Sequence, residues 1–276
     1  MSVIQWYPGH MAKANRELKK ALPKIDLVIE LLDARIPLAS RNPLFEQTLA
    51  NKKRLLLLNK SDLADPIATK KWVAYYKEKG LLAIPYNSIK RQQVNSLIKT
   101  CLNLGSKPNQ SRFKPVHLVI IGIPNVGKSQ LINQLANRQI ARVQNRPAIT
   151  QQQQWIPIGT QLTLLDTPGI LWPKFDETEI GYRLALSGAI KDSITDFADA
   201  IQYLVSHLKT HYLNEVNSYF QTRFSAQDEN HLIIEKIGEK RGLLEPGGHI
   251  NEEGTYRHLI QAYRKGKIGR ISLEFP

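Results

Sequence analysis

The stretch RLLLLNKSDLAD, residues 54–65, decides how this chain is built. Its run of leucines suits a strand buried on both faces of a sheet. The strand leads into Asn59, Lys60, Ser61 and Asp62, and in an open α/β sheet ligands bind just outside the carboxyl ends of the strands. There the Asp62 carboxylate would accept two hydrogen bonds from N1–H and the 2-amino group of guanine, a donor pair that adenine lacks. Asn59 would brace the loop and touch the base, and the stem of Lys60 would cover the ring. Four residues of these types arise by chance fairly often, so their weight depends on what accompanies them.

What accompanies them is GIPNVGKS, Gly122 to Ser129, which matches G-x-x-x-x-G-K-[ST] between the apolar HLVIIG and the amphipathic SQLINQLAN. Backbone N–H groups of such a turn, at Asn125, Val126 and Gly127, point at an anion at a helix N-terminus. Lys128 adds charge near the β and γ phosphates and serves catalysis, and the Ser129 hydroxyl can ligate Mg2+. Further along, LLDTPG supplies Asp166 as a second Mg2+ ligand and a Gly169 N–H placed to sense a γ-phosphate. A weaker signal is YNSIK, where Ser88 and Ile89 are expected to give backbone contacts to the base. The order along the chain is base reader, supporting loop, phosphate loop and D-T-P-G, and Gly122 comes 63 residues after Asn59. That order is a circular permutation.

The remaining pattern is consistent with this. Apolar runs begin at Asp26, Arg54, Leu81, Val116 and Thr163, with helix-compatible stretches at 66–79 and 91–102 between them. The alternation predicts a mostly parallel sheet with helices on both faces. Polar residues 105–115 read as a surface connection. Beyond about residue 180 the period changes: Ile201, Leu204, Val205 and Leu208, then Tyr256, Leu259, Ile260 and Tyr263, recur at helical spacing. The expected architecture is a permuted P-loop GTPase domain over 1–180 and a small all-α domain over 181–276.

Composition narrows the partners. The chain has 276 residues and a net charge of +14. Residues 1–180 hold 26 Lys and Arg against 12 Asp and Glu, whereas residues 181–276 hold 12 of each. Basicity confined to the first two thirds predicts a polyanionic partner, most simply nucleic acid. Candidate phosphate contacts are Lys13, Arg16, Lys19, Lys20 and Lys24, then Arg35 and Arg41, then Arg264, Lys265, Lys267 and Arg270. One cysteine, Cys101, excludes an intramolecular disulfide. No run approaches the roughly 18 to 20 apolar residues of a membrane span, and a cytoplasmic monomer is the expectation.

With WYPGHMAKA (Trp6–Ala14) and LLDARIPLASRNP (Leu31–Pro43) added to the nucleotide motifs, the chain resembles the YlqF/RbgA type of circularly permuted GTPase, the ribosome biogenesis GTPase A family. The resemblance implies an enzyme that hydrolyses GTP on a late precursor of the large ribosomal subunit, with RNA-binding C-terminal helices. It also implies His10 as a catalytic candidate, and Asn125 as a K+ ligand beside the phosphates. Two departures stand out: Gln130 follows Lys-Ser where the family has Thr, a backbone contact in either case. The switch reads PAIT with Ala148 in place of Gly, leaving Thr150 to close on Mg2+ and γ-phosphate. Ile170 stands where many GTPases place a water-orienting Gln, so slow intrinsic turnover and stimulation by the ribosomal particle are expected. The alternative is a GTP-dependent rRNA-binding scaffold or checkpoint protein whose hydrolysis is incidental.

Overall fold

The computed structural model describes residues 9–107, 114–137, 154–172, 175, 177–192 and 197–276. Helix α1 (Gly9–Ala21) leads to strand β1 (Leu27–Asp33), followed by α2 (Leu44–Thr48), β2 (Lys53–Asn59), α3 (Pro66–Glu78), β3 (Leu82–Pro85) and α4 (Val94–Gly105). Then come β4 (Val116–Gly122), α5 (Lys128–Leu135), β5 (Gln154–Ile158) and β6 (Leu162–Asp166). Helices α6 (Thr178–Ser187), α7 (Ala198–His211), α8 (Leu213–Phe220), α9 (Asn230–Lys240) and α10 (Glu252–Arg264) precede a C-terminal tail.

Among the described residues the strands form one six-stranded sheet in the order β3-β2-β1-β4-β6-β5. Every β1 residue is buried, as are Leu55 to Asn59 of β2, which is what near-continuous apolar strands require of a sheet covered on both sides. The period-2 alternation divides the leucines of β2. Leu55 and Leu57 join the main core with Leu97 and Cys101 of α4, while Leu56 and Leu58 pack with Trp72 and Tyr76 of α3 on the other face. All pairs are parallel except β5 with β6. Strand β5 was not legible in the sequence, because Pro157 interrupts it. A proline is tolerated on an edge strand, and among the described residues β5 has only β6 beside it.

Beyond α6 the chain is helical, and Ile201, Leu204, Val205, Leu208, Leu259, Ile260 and Tyr263 are buried where their periodicity places them. The sequence suggests a single short connection joining this part to the sheet. The structure adds a second attachment. The tail after α10 runs back across the carboxyl end of the sheet: Ile271 N–H donates to the Leu63 carbonyl (3.0 Å) and Leu273 N–H to that of Arg35 (2.8 Å). The Trp72 indole donates to the Glu274 carbonyl at 3.1 Å. The buried Glu274 carboxyl accepts N–H bonds from Leu38 (2.6 Å) and Ala39 (2.9 Å) and lies 3.5 Å from the Arg183 guanidinium.

Removing that acceptor strands donors in a largely dry interface, at a cost of about 2 kcal/mol. Glu274→Ala should therefore lower the melting temperature by about 5 °C in calorimetry of the full chain. An unchanged melting temperature would show that the tail contributes little to stability.

Candidate functional site

The carboxyl ends of β1, β2, β4 and β6 carry Asp33, Asn59, Gly122 and Asp166. The sheet's strand order reverses between β1 and β4, the position at which open α/β sheets bind ligands. Asn59 is 1% exposed and joins three loops. Its side-chain amide donates to the Val126 carbonyl (2.7 Å) and to Ser88 Oγ (3.1 Å), while its Oδ1 accepts from Ser88 N–H (3.0 Å). The N-K-x-D loop, the YNSIK loop and the phosphate loop are thereby held together. Ile89, by contrast, is exposed, and its N–H bonds Asn87.

Gly127 shows why the phosphate loop tolerates nothing larger there. Its φ is +106°, and a Cβ would come within 2.3 Å of the Asn59 amide nitrogen. Lys128 opens α5 with its side chain buried, and its ammonium donates to the carbonyls of Gly122 (3.1 Å) and Ile123 (2.7 Å). Burial pulls its pKa down to about 8, against the opposing effect of the nearby Asp166 carboxylate. Asp166 is itself 6% exposed, and Ser129 and Gln130 are half-buried in the first turn of α5. Gly169 lies against the loop, where a Cβ would stand 2.8 Å from Pro124 and 3.0 Å from Lys128 Nζ.

The Ile170 side chain is buried and its N–H bonds the Gly122 carbonyl at 3.2 Å, so it offers an attacking water nothing. Asn42 holds the Ile170 carbonyl at 3.1 Å. Asn125 has a φ of +57° and donates its side-chain amide to the Gly188 carbonyl at the end of α6, at 2.7 Å. Lys60, with a φ of +59°, places its ammonium 2.9 Å from Asp33. Asp62 sits half-buried in the same loop. His10 falls in the first turn of α1, but its side chain, like all of Thr150, lies outside the described residues.

Several basic residues expected to face RNA are instead engaged within the fold. Arg35 is 1% exposed and grips Asp33 in a fork, with Nε to Oδ1 at 2.9 Å and Nη2 to Oδ2 at 2.7 Å. Arg41 pairs with Glu30 and Glu46, and Arg264 with Asp192 and the Ala185 and Leu186 carbonyls. Arg270 bonds the Ser61 and Ala64 carbonyls while remaining exposed. The cluster in and just after α1 is different: Ala14, Leu18 and Leu22 face the core, and Lys13, Arg16, Lys19, Lys20 and Lys24 are exposed, Lys13 lying 3.9 Å from Glu17.

A phosphate loop after a central parallel strand, with an N-K-x-D loop on a strand earlier in the chain, defines a circularly permuted P-loop GTPase. The family model described as MMR_HSR1, 50S ribosome-binding GTPase, matches residues 117–236. Ribosome biogenesis GTPase A of Bacillus cereus is 43% identical, over 99% of this chain and 94% of its own. That of Bacillus pumilus is 44% identical over 99% of both. GNP-bound YlqF from T. maritima superposes with a TM-score of 0.68 at 27% identity, covering 96% of this chain and 98% of that one. The chain belongs to the ribosome biogenesis GTPase A family, and it is a guanine-nucleotide-binding GTPase.

The depressed Lys128 has a measurable consequence. With a folded pKa below the unfolded value, its charged form is disfavoured in the free site, and bound phosphates restore it. GDP binding at pH 8 should take up about half a proton, declining towards zero by about pH 6.5. Titration calorimetry in two buffers of different ionisation enthalpy measures this, and identical heats at pH 8 would exclude it.

Proposed function

We propose that the chain hydrolyses GTP while bound to a late precursor of the large ribosomal subunit, promotes its maturation and leaves as the nucleotide changes. The observation that carries this reading is the Asn59 amide, which joins the base-reading loop to the phosphate loop in a chain whose relatives are named for ribosome biogenesis. In this reading Asp62 reads guanine, with Asn59, Lys60, Ser88 and Ile89 supporting the base. The backbone of Asn125, Val126, Gly127, Ser129 and Gln130 holds the phosphates with Lys128, and Gly169 senses the γ-phosphate.

A hydroxyl and a carboxylate flanking the phosphate loop are the oxygen donors that Mg2+ uses alongside phosphates. Ser129, Asp166 and Thr150 would hold the ion, which supplies charge to offset that on the phosphoryl oxygens. Asn125 commits its amide nitrogen to Gly188, which leaves its oxygen to ligate K+. His10 would orient the attacking water in place of the buried Ile170. The exposed cations of α1 supply phosphate contacts directed by RNA shape rather than base identity. In this reading the protein is a cytoplasmic monomer working on a ribosomal particle.

A second reading, a GTP-dependent rRNA-binding scaffold with incidental hydrolysis, is favoured by one fact alone: the residue after D-T-P-G is apolar and buried. Turnover with and without large subunits or their precursors separates the two. Strong stimulation that is lost in His10→Ala, with GTP binding intact, supports the first; unchanged turnover supports the second. Equal rates in Na+ and K+ would remove the K+ role.

Asp62→Asn should weaken GTP binding by about tenfold or more, since a charge-assisted bond pair is lost. Wild-type affinity in that variant would refute the base assignment. Charge reversal at Lys19 and Lys20 should weaken particle binding and flatten its salt dependence without altering GTP affinity. An unchanged salt slope would take α1 out of the interface.

A further inference from the structure

We propose that Asp33 and Arg35 are positioning residues for guanine recognition: through Lys60 they set the base-reading loop, and through Arg35 they make that setting depend on the docked C-terminal tail. This rests on the assignment of Asp62 as the guanine reader.

Lys60 adopts a left-handed backbone conformation (φ +59°) that a long side chain holds only when its surroundings fix it. Its side chain is anchored on Asp33 Oδ2, at 2.9 Å, while its carbonyl accepts the Leu63 N–H at 2.9 Å. Asp33 is 1% exposed, and burial alone would raise its pKa. The Arg35 guanidinium and the Lys60 ammonium overrule burial and hold the carboxyl well below the usual carboxylate range. Asp33 is thus a fixed anion between two cations, and without it Arg35 and Lys60 would repel each other. Arg35 also lies within electrostatic reach of Asp62. The cluster therefore bears on both the residue that covers the base and the residue that reads it.

Arg35 continues into the helical part. Its guanidinium stands 4.9 Å from the centre of the Tyr263 ring and 3.5 Å from the Arg264 carbonyl, and its own carbonyl accepts the Leu273 N–H. The base loop takes its support from the same tail. Arg270 donates to the Ser61 (2.9 Å) and Ala64 (3.0 Å) carbonyls, Ile271 N–H to that of Leu63, and Asp65 N–H to Ser272 Oγ (3.1 Å). The stretch on either side of Asp62 is thus held by residues some 200 positions later in the chain. If tail docking favours the geometry that binds guanine, guanine must favour tail docking by the same factor. GTP and GDP share the base, so this linkage reports occupancy of the site, whereas the switch reports the γ-phosphate.

The decisive variant is Lys60→Met, which keeps a stem to cover the ring and removes the ammonium that reaches Asp33. GDP affinity, measured by fluorescence titration of the full chain, should fall tenfold or more in Lys60→Met and in Asp33→Asn. The double variant should be no weaker than the worse single, because both changes cut one link. In the wild type, GDP and GTP should slow hydrogen exchange equally at the Ile271 and Leu273 amides, and in Lys60→Met that slowing should largely vanish. If Asp33→Asn does not fold, Lys60→Met and the exchange measurement still decide. Near-wild-type affinity in Lys60→Met, additive losses, or exchange indifferent to nucleotide would overturn the inference while Asp62→Asn still loses GDP. If Asp62→Asn binds normally, the guanine assignment itself fails and the inference falls with it.

Discussion

A single side-chain amide sets the geometry on which the nucleotide site depends. Asn59 ends β2, and its nitrogen and oxygen together hold the phosphate loop at Val126 and the YNSIK loop at Ser88. A parallel sheet fixes the direction of its strands but leaves the loops at their ends free to diverge. With Asn59 buried and its amide hydrogens both bonded, the separation between the N-K-x-D loop and the phosphate loop is set by bonds of 2.7 to 3.1 Å. Any displacement would leave polar groups unpaired in a dry environment. Gly127 completes this arrangement, because a side chain there would occupy the place of the Asn59 amide.

The same constraint explains how a permuted chain order is tolerated. β1 pairs with β2 on one side and with β4 on the other, all in parallel. Hydrogen bonding in that register is indifferent to which strand is made first. Permutation alters the connections, and here it sends the chain from D-T-P-G directly into α6 and the helical part. That part then touches the crevice at both ends: Asn125 of the phosphate loop bonds Gly188, and the tail crosses the N-K-x-D loop through Arg270 and Ile271. The helices are therefore part of the frame of the site rather than an appendage to it.

Much of the fold was legible because its signals are local. Unbroken apolar runs followed by N-K-x-D, G-x-x-x-x-G-K-S or D-T-P-G declare buried strands with ligand loops at their ends. The i, i+3, i+4 spacing of Ile201, Leu204, Val205 and Leu208 likewise declares a helix with one buried face. Charge was less informative. Arg35, Arg41, Arg264 and Arg270 look like the lysines of α1 in a sequence, yet each has an acid or a carbonyl as its partner in the folded chain. Asn42 and Glu274 gave no sequence signal of their role, since their partners lie 128 and 236 positions away, and Asp33, though paired with Arg35 two positions on, reaches Lys60 only across 27 residues.

The sequence alone determined the class of ligand, the permuted order of the motifs and the alternation of strands and helices, because each rests on residue types within a few positions of one another. Only the tertiary structure decided which cations are bonded within the fold, that Asp33 anchors Lys60, and that residues 270–272 support the N-K-x-D loop. Those outcomes depend on distances between segments remote in sequence, and no local pattern encodes them.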